Sequence, residues 1–177
     1  MKKTMIALLL CLPLTAQAGV LDPIRNKEVR PVNNATYAKN CADCHYAYPA
    51  GLLPERSWEK LMQPESLANH FGDNAEVSEA DRNTILSYLT RNAADHSLAK
   101  RARKFNRSIP ENATPLRISE TAYFKHAHED VTARFVKENP KVRSFSNCNA
   151  CHTQSAQGIF DDDTVRIPGH GWWVNID

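Results

Sequence analysis

The 177-residue chain is short of methionine and cysteine, has no long apolar run beyond its first residues, and keeps no lasting excess of charge. Each shortage excludes something. A helix that crosses a bilayer needs about 20 apolar residues. The longest apolar run, residues 5–14, is too short, so no transmembrane segment is expected. Lys2 and Lys3 precede that run and Ala16-Gln17-Ala18 follows it. This is the pattern of a cleavable secretory signal over residues 1–18, and it predicts a soluble protein exported to a bacterial periplasm. Cleavage leaves 20 Lys and Arg against 20 Asp and Glu. The basic residues are not interleaved with aromatics, so nucleic acid is not an expected partner. Met1, Met5 and Cys11 leave with the signal; Cys11 follows Leu10, where a lipoprotein signal would have a small residue. What remains is one methionine, Met62, and four cysteines.

All four cysteines lie in two copies of one pattern. Cys41-Ala42-Asp43-Cys44-His45 and Cys148-Asn149-Ala150-Cys151-His152 both read C-x-x-C-H, the attachment signature of a c-type haem. Two cysteines three apart sit on one face of a short helical turn and can form thioethers to the two vinyl groups of one porphyrin. The histidine that follows then lies under the iron. In an exported protein the competing readings are two redox disulfides and a zinc site made of all four cysteines. A thioredoxin-like motif needs a βαβ setting, and no strand-rich stretch precedes either pair. Zinc gives no reason for a histidine directly after both pairs. The expected cofactors are therefore two covalently bound haem c groups.

Along the chain, residues 19–31 are charged and proline-flanked, and read as an extended arm. Asn33 or Asn34 can cap a helix with Tyr37, Cys41 and Cys44 on one face. Pro54 opens a second helix with Trp58, Leu61 and Met62 on its apolar side, and Pro64 ends it. Further turns over residues 66–71 deliver His70. Ser78 and Asp81 resemble a capping box at the head of the most regular helix, whose stripe is Ile85, Leu86 and Leu89. Residues 96–115 read as a basic, polar connection without an apolar stripe, with Lys100, Arg101, Arg103, Lys104 and Arg107. Such a run is commonly a solvated face, and it is also the best candidate for contact with an acidic redox partner. A helix carrying His126 and His128 is expected over residues 121–131, and Ser144 or Ser146 can cap the short helix into the second motif. The fold class is mainly α, with short helices and much of each core supplied by haem. It divides into a signal (1–18), an N-terminal haem domain (19–108) and a C-terminal haem domain (109–177).

His45 and His152 are the proximal ligands, and the opposite axial position decides the chemistry. A strong ligand gives an electron carrier; an empty position permits O2, NO or peroxide chemistry. For the first haem the candidates are His70 and Met62, and Met62 reads first as a core residue. For the second they are His126 and His128. Two residues apart on a helix, these point in different directions, and only one can bind. His96 reads as exposed and His170 as part of a flexible tail.

The chain resembles the small periplasmic dihaem cytochromes c of the DHC type. The resemblance runs through NCADCH, PERSWEKLM, NHFGDNAEV, ILSYLTRNAAD, TPLRISETAYF, SFSNCNACH and GIFDDDTVRIP, in order over nearly the whole mature chain. It implies one haem per domain, with the N-terminal domain similar to a class I cytochrome c and both haems bis-histidine. Carried over residue by residue, it implies His70 as the sixth ligand of the first haem and His128 as that of the second. It also implies electron transfer to an SHP-type oxygen-binding cytochrome c, with a membrane cytochrome b as a source of electrons. The expected function is an electron carrier and not an enzyme. The alternatives are a peroxidase-like dihaem enzyme or a gas-binding sensor, each with one displaceable axial ligand.

Overall fold

The computed structural model describes residues 28–173. The signal assigned to residues 1–18 and most of the N-terminal arm lie outside the described residues. Among those described there are seven short α-helices and one two-stranded antiparallel ribbon, joined by 3-10 turns.

Helix α1 (Ala35–Cys41) starts where Asn34 accepts from the Tyr37 amide at 2.8 Å, so the cap is Asn34. Pro54 precedes α2 (Glu55–Leu61). Pro64 opens α3 (Pro64–Ala68) at its first turn as well as closing what went before, because proline lacks only an N–H that a first turn leaves unpaired anyway. Helix α4 (Glu79–Arg91) begins at Ser78, whose hydroxyl accepts from the Asp81 amide. Helices α1 and α2 pack on α4. This builds a core of Tyr37, Trp58, Leu61, Met62, Leu67, Ile85 and Leu89, each under a tenth exposed. The Trp58 indole N–H donates to the Ala50 carbonyl at 2.8 Å, which pairs the one polar atom of that ring.

Residues 96–115 differ from the sequence expectation. Lys100–Ser108 form helix α5, with Ala102 fully buried and Phe105 5% exposed. Five basic side chains in nine residues hide this stripe, since it consists of one small residue and one aromatic. Arg101 is not solvated either. Its guanidinium makes a two-pronged pair with Glu28 at 2.7 and 3.1 Å, both side chains about seven-eighths buried, and also donates to the Phe160 carbonyl. Glu28 in turn accepts from the Phe160 amide, and the Val29 amide donates to the Gly158 carbonyl. The described end of the N-terminal arm is therefore buried, held between α5 and the C-terminal segment.

Helix α6 (Ala122–Ala127) is capped by Thr121 and ends one residue before His128. Helix α7 (Cys148–Cys151) is preceded by Asn147 and not by either serine expected as its cap; the Asn147 side chain donates instead to the Val142 carbonyl. Strands β1 (Arg166–Ile167) and β2 (Gly171–Trp172) form the ribbon. A second apolar cluster joins Val29, Leu52 and Phe105 to Phe124 and Phe160, so it draws on both halves of the chain.

Candidate haem sites

The first C-x-x-C-H motif begins at the last residue of α1 and continues into the turn after it, leaving His45 half-buried. The His45 Nδ1 lies 2.7 Å from the Tyr46 carbonyl, which can only accept, so Nδ1 carries the proton and Nε2 keeps its lone pair. The Tyr48 ring stacks on this imidazole at 4.8 Å. His70 arrives from α3 on a tight turn. Its backbone pairs with Asp73, and the two central residues, Phe71 and Gly72, have φ of 58° and 107°. Glycine takes such angles freely; phenylalanine does so only under constraint. Here the Phe71 ring packs edge-on against His70 at 4.7 Å, and the Arg117 guanidinium lies over its face at 3.8 Å.

The turn sets the two imidazoles opposite each other, with centroids 6.3 Å apart and planes 24° from parallel. A ligating imidazole nitrogen stands about 2 Å from its metal and its ring centre roughly 1 Å further out, so two rings flanking one ion lie roughly 6 Å apart. The spacing accommodates one iron. A cavity of about 550 Å³ opens here, bounded by Cys41, Cys44 and the apolar core of α1, α2 and α4. Met62 is in its wall, 5% exposed and packed within the same core.

The second site repeats the arrangement with the roles exchanged. His128, at the end of α6, approaches the Phe124 carbonyl with Nδ1 at 2.9 Å, stacks on the Phe124 ring at 4.0 Å and meets Phe145 edge-on. His152 follows α7. The two rings are 6.1 Å apart at 75°. They face a cavity of about 280 Å³ with Cys148 and Cys151 in its wall. His126 is exposed at the rim of the same cavity, with its Nδ1 3.3 Å from Glu129. His96 pairs with Glu55 on the surface, and His170 is exposed beside Phe135.

Burial keeps these groups neutral. Desolvation lowers His70, with His45 adding to the effect, and lowers His128 against the pull of the Phe124 carbonyl. His152 falls to about 4, through burial first and the neighbouring His128 and Arg101 second. Neutral imidazoles offer lone pairs at pH 7. Among the described residues, the buried Nδ1 atoms of His70 and His152 have no hydrogen-bond partner.

The competing chemistries fit poorly. Burial pushes the Cys148 thiol up to about 12 and Cys41 up to about 11, the reverse of the activated thiolate that a redox C-x-x-C requires. Among the described residues no three His, Cys, Asp or Glu side chains converge to hold a lone metal ion, so the two pairs do not build a zinc site. Beside two apolar cavities, paired thiols and facing imidazoles fit a covalently attached porphyrin.

Sequence reasoning missed Glu28 and its partner Arg101, which borders the second cavity, and Tyr48 and Phe145, which pack on the imidazoles. For Arg101 the signal was available: it stands four residues before Phe105, on the same side of a helix. The two cavities also share a wall of Ile118, Phe124, Phe145 and Cys148.

Residues 37–160 match the family model described as dihaem cytochrome c. Among solved structures, the chain is similar to a dihaem cytochrome type c from Shewanella baltica, at 40% identity and a TM-score of 0.64, covering 80% of this chain and 98% of that one. It is also similar to a dihaem cytochrome c from Rhodobacter sphaeroides, at 47% identity and a TM-score of 0.65, over 75% of this chain and all of that one. A further Rhodobacter sphaeroides structure matches at 44% identity with a TM-score of 0.58, over 73% of this chain and 99% of that one. No curated protein sequence matches the chain.

Proposed function

This chain belongs to the dihaem cytochrome c family, and from that premise we propose that it is a periplasmic electron carrier, not an enzyme, in which both haems are bis-histidine. Its two C-x-x-C-H motifs carry two covalently bound c-type haems. We assign His45 and His70 to the first iron and His152 and His128 to the second, with the thioethers on Cys41, Cys44, Cys148 and Cys151. One haem then belongs to each half, 19–108 and 109–177. When bound, each haem iron supplies one reversible electron.

The observation that carries this reading is the pair of facing imidazoles at each cavity, 6.3 and 6.1 Å apart. A backbone carbonyl fixes the tautomer of one imidazole in each pair. The surrounding apolar side chains exclude water and hold the rings still, so little rearrangement accompanies a change of charge. With both axial positions taken from the chain, no position is left for oxygen or peroxide. The signal-like leader supports the periplasmic assignment. Exchange with an oxygen-binding cytochrome c of the SHP type, fed by a membrane cytochrome b, is the partnership we propose; no described helix is long and apolar enough to cross a membrane.

EPR with near-infrared MCD on the oxidised holoprotein, with haem counted per chain, tests the assignment. Two low-spin signals without a methionine–sulfur band are expected. They should differ, because the ring planes stand at 24° in one pair and 75° in the other. His70→Ala should keep both haems attached but turn one high-spin and open to CO. If both stay low-spin, His70 is not a ligand.

A further inference from the structure

We propose that the outer face of α5 is the docking surface for a redox partner with an acidic face, and that electrons cross it to or from the second haem site. This rests on the electron-carrier reading above and adds where the partner binds.

Lys100, Arg103, Lys104 and Arg107 are all exposed. At 100° per residue these positions fall within about 100° of arc, opposite Ala102 and Phe105, which are buried. The four cations therefore form one stripe. Among the described residues none of them has an ion-pair partner. The helix has no acidic residue in its first turn, where its dipole would favour one. Lys100 with Lys104, and Arg103 with Arg107, are like-charge i,i+4 pairs that work against the helix. This stripe destabilises the isolated protein, and a docked acidic surface removes the repulsion. The mature chain as a whole carries 20 Lys and Arg against 20 Asp and Glu, so without these four cations the remainder is acidic, and the stripe orients an incoming partner. Leu98, 80% exposed just before the helix, supplies an apolar contact at its edge.

The position relative to the second site makes the surface useful. On the inner side of the same helix, Arg101 and Phe105 border the cavity of His128 and His152. The Phe105 ring meets Tyr123 edge-on at 4.9 Å, and Lys104 lies over that Tyr123 ring at 5.5 Å. A partner on the stripe is thus separated from the site by one helix thickness, about 10 Å. The exchange moves one electron between the partner's redox centre and one haem iron, with no bond made and no proton transferred.

The test uses the holoprotein and a plant-type [2Fe–2S] ferredoxin as a small acidic one-electron donor. Binding is measured by calorimetry, and electron delivery by stopped-flow. The variant carries Arg103→Glu, Lys104→Glu and Arg107→Glu. A control of equal charge change carries Lys39→Glu, Lys60→Glu and Arg91→Glu, all exposed on α1, α2 and α4. The wild type should bind at about 20 mM salt and release at about 200 mM, where screening shortens the reach of exposed charges. The α5 variant should bind at least about tenfold more weakly, and the control within about threefold of wild type. Equal losses in the two variants, or no binding by the wild type, overturn the proposal. Binding to phosphatidylglycerol vesicles that is lost in the α5 variant, without a matching loss toward ferredoxin, assigns the stripe to a membrane and also overturns it. Haem content, spin state and reduction by dithionite are read on every sample. A failed carrier reading shows there, separately from a failed docking surface.

Discussion

At the residue scale the two sites solve one problem in mirrored ways. Each pairs an imidazole whose Nδ1 is held by a backbone carbonyl with one whose Nδ1 has no partner. In the first site the anchored ring is the motif histidine, His45; in the second it is the opposite one, His128. The two C-x-x-C-H motifs were legible because spacing alone encodes them. Spacing left His126 and His128 open and only the resemblance favoured His128; in the structure the helix ends at Ala127, and the His128 ring turns inward to Phe124 while His126 reaches Glu129.

At the scale of elements, capping and periodicity were readable where one mechanism acts alone. Asn34 and Ser78 start α1 and α4 as their side chains predict. Helix α5 was not legible, because its inner face consists of Ala102, Phe105 and an arginine whose charge is neutralised by a residue 73 positions away. Nothing local announces such a pair. Glu28→Ala leaves Arg101 buried without its counter-ion and should destabilise the fold by about 3 kcal/mol, read as a lower midpoint in urea. Glu28→Gln retains the shape and one acceptor and should lose less. A change below about 0.5 kcal/mol in both would mean that the arm is not held by this pair.

For the whole molecule, the shared wall matters most. Ile118, Phe124, Phe145 and Cys148 face both cavities, so neither site can be altered there in isolation. Phe145 meets Phe124 at 5.4 Å and His128 at 5.7 Å. Phe145→Ala should cost about 2 kcal/mol, below the range for fully buried rings because it is only half-buried. It should shift the reduction potentials of both haems, whereas Leu61→Ala, in the core beside the first cavity alone, should shift one. A Phe145→Ala variant in which only one potential moves would show that the wall does not couple the sites. None of this was visible in the sequence, since the wall joins residues from two separate stretches, 118–124 and 145–148, and only packing brings them together.

The burial of the arm sets an order of events. Glu28 and Val29 are among the first residues made of the described chain, yet their partners Phe160 and Gly158 are among the last. A side chain at Gly158 would collide with the Val29 carbonyl oxygen, so the fit there is close and leaves no loose approximation to it. The beginning of the chain must wait, unclosed, until residue 160 exists. By then both C-x-x-C-H motifs have already been made, the second ending eight residues earlier at His152. The contact that ties the start of the described chain to its end therefore cannot close before the last of the four motif cysteines exists.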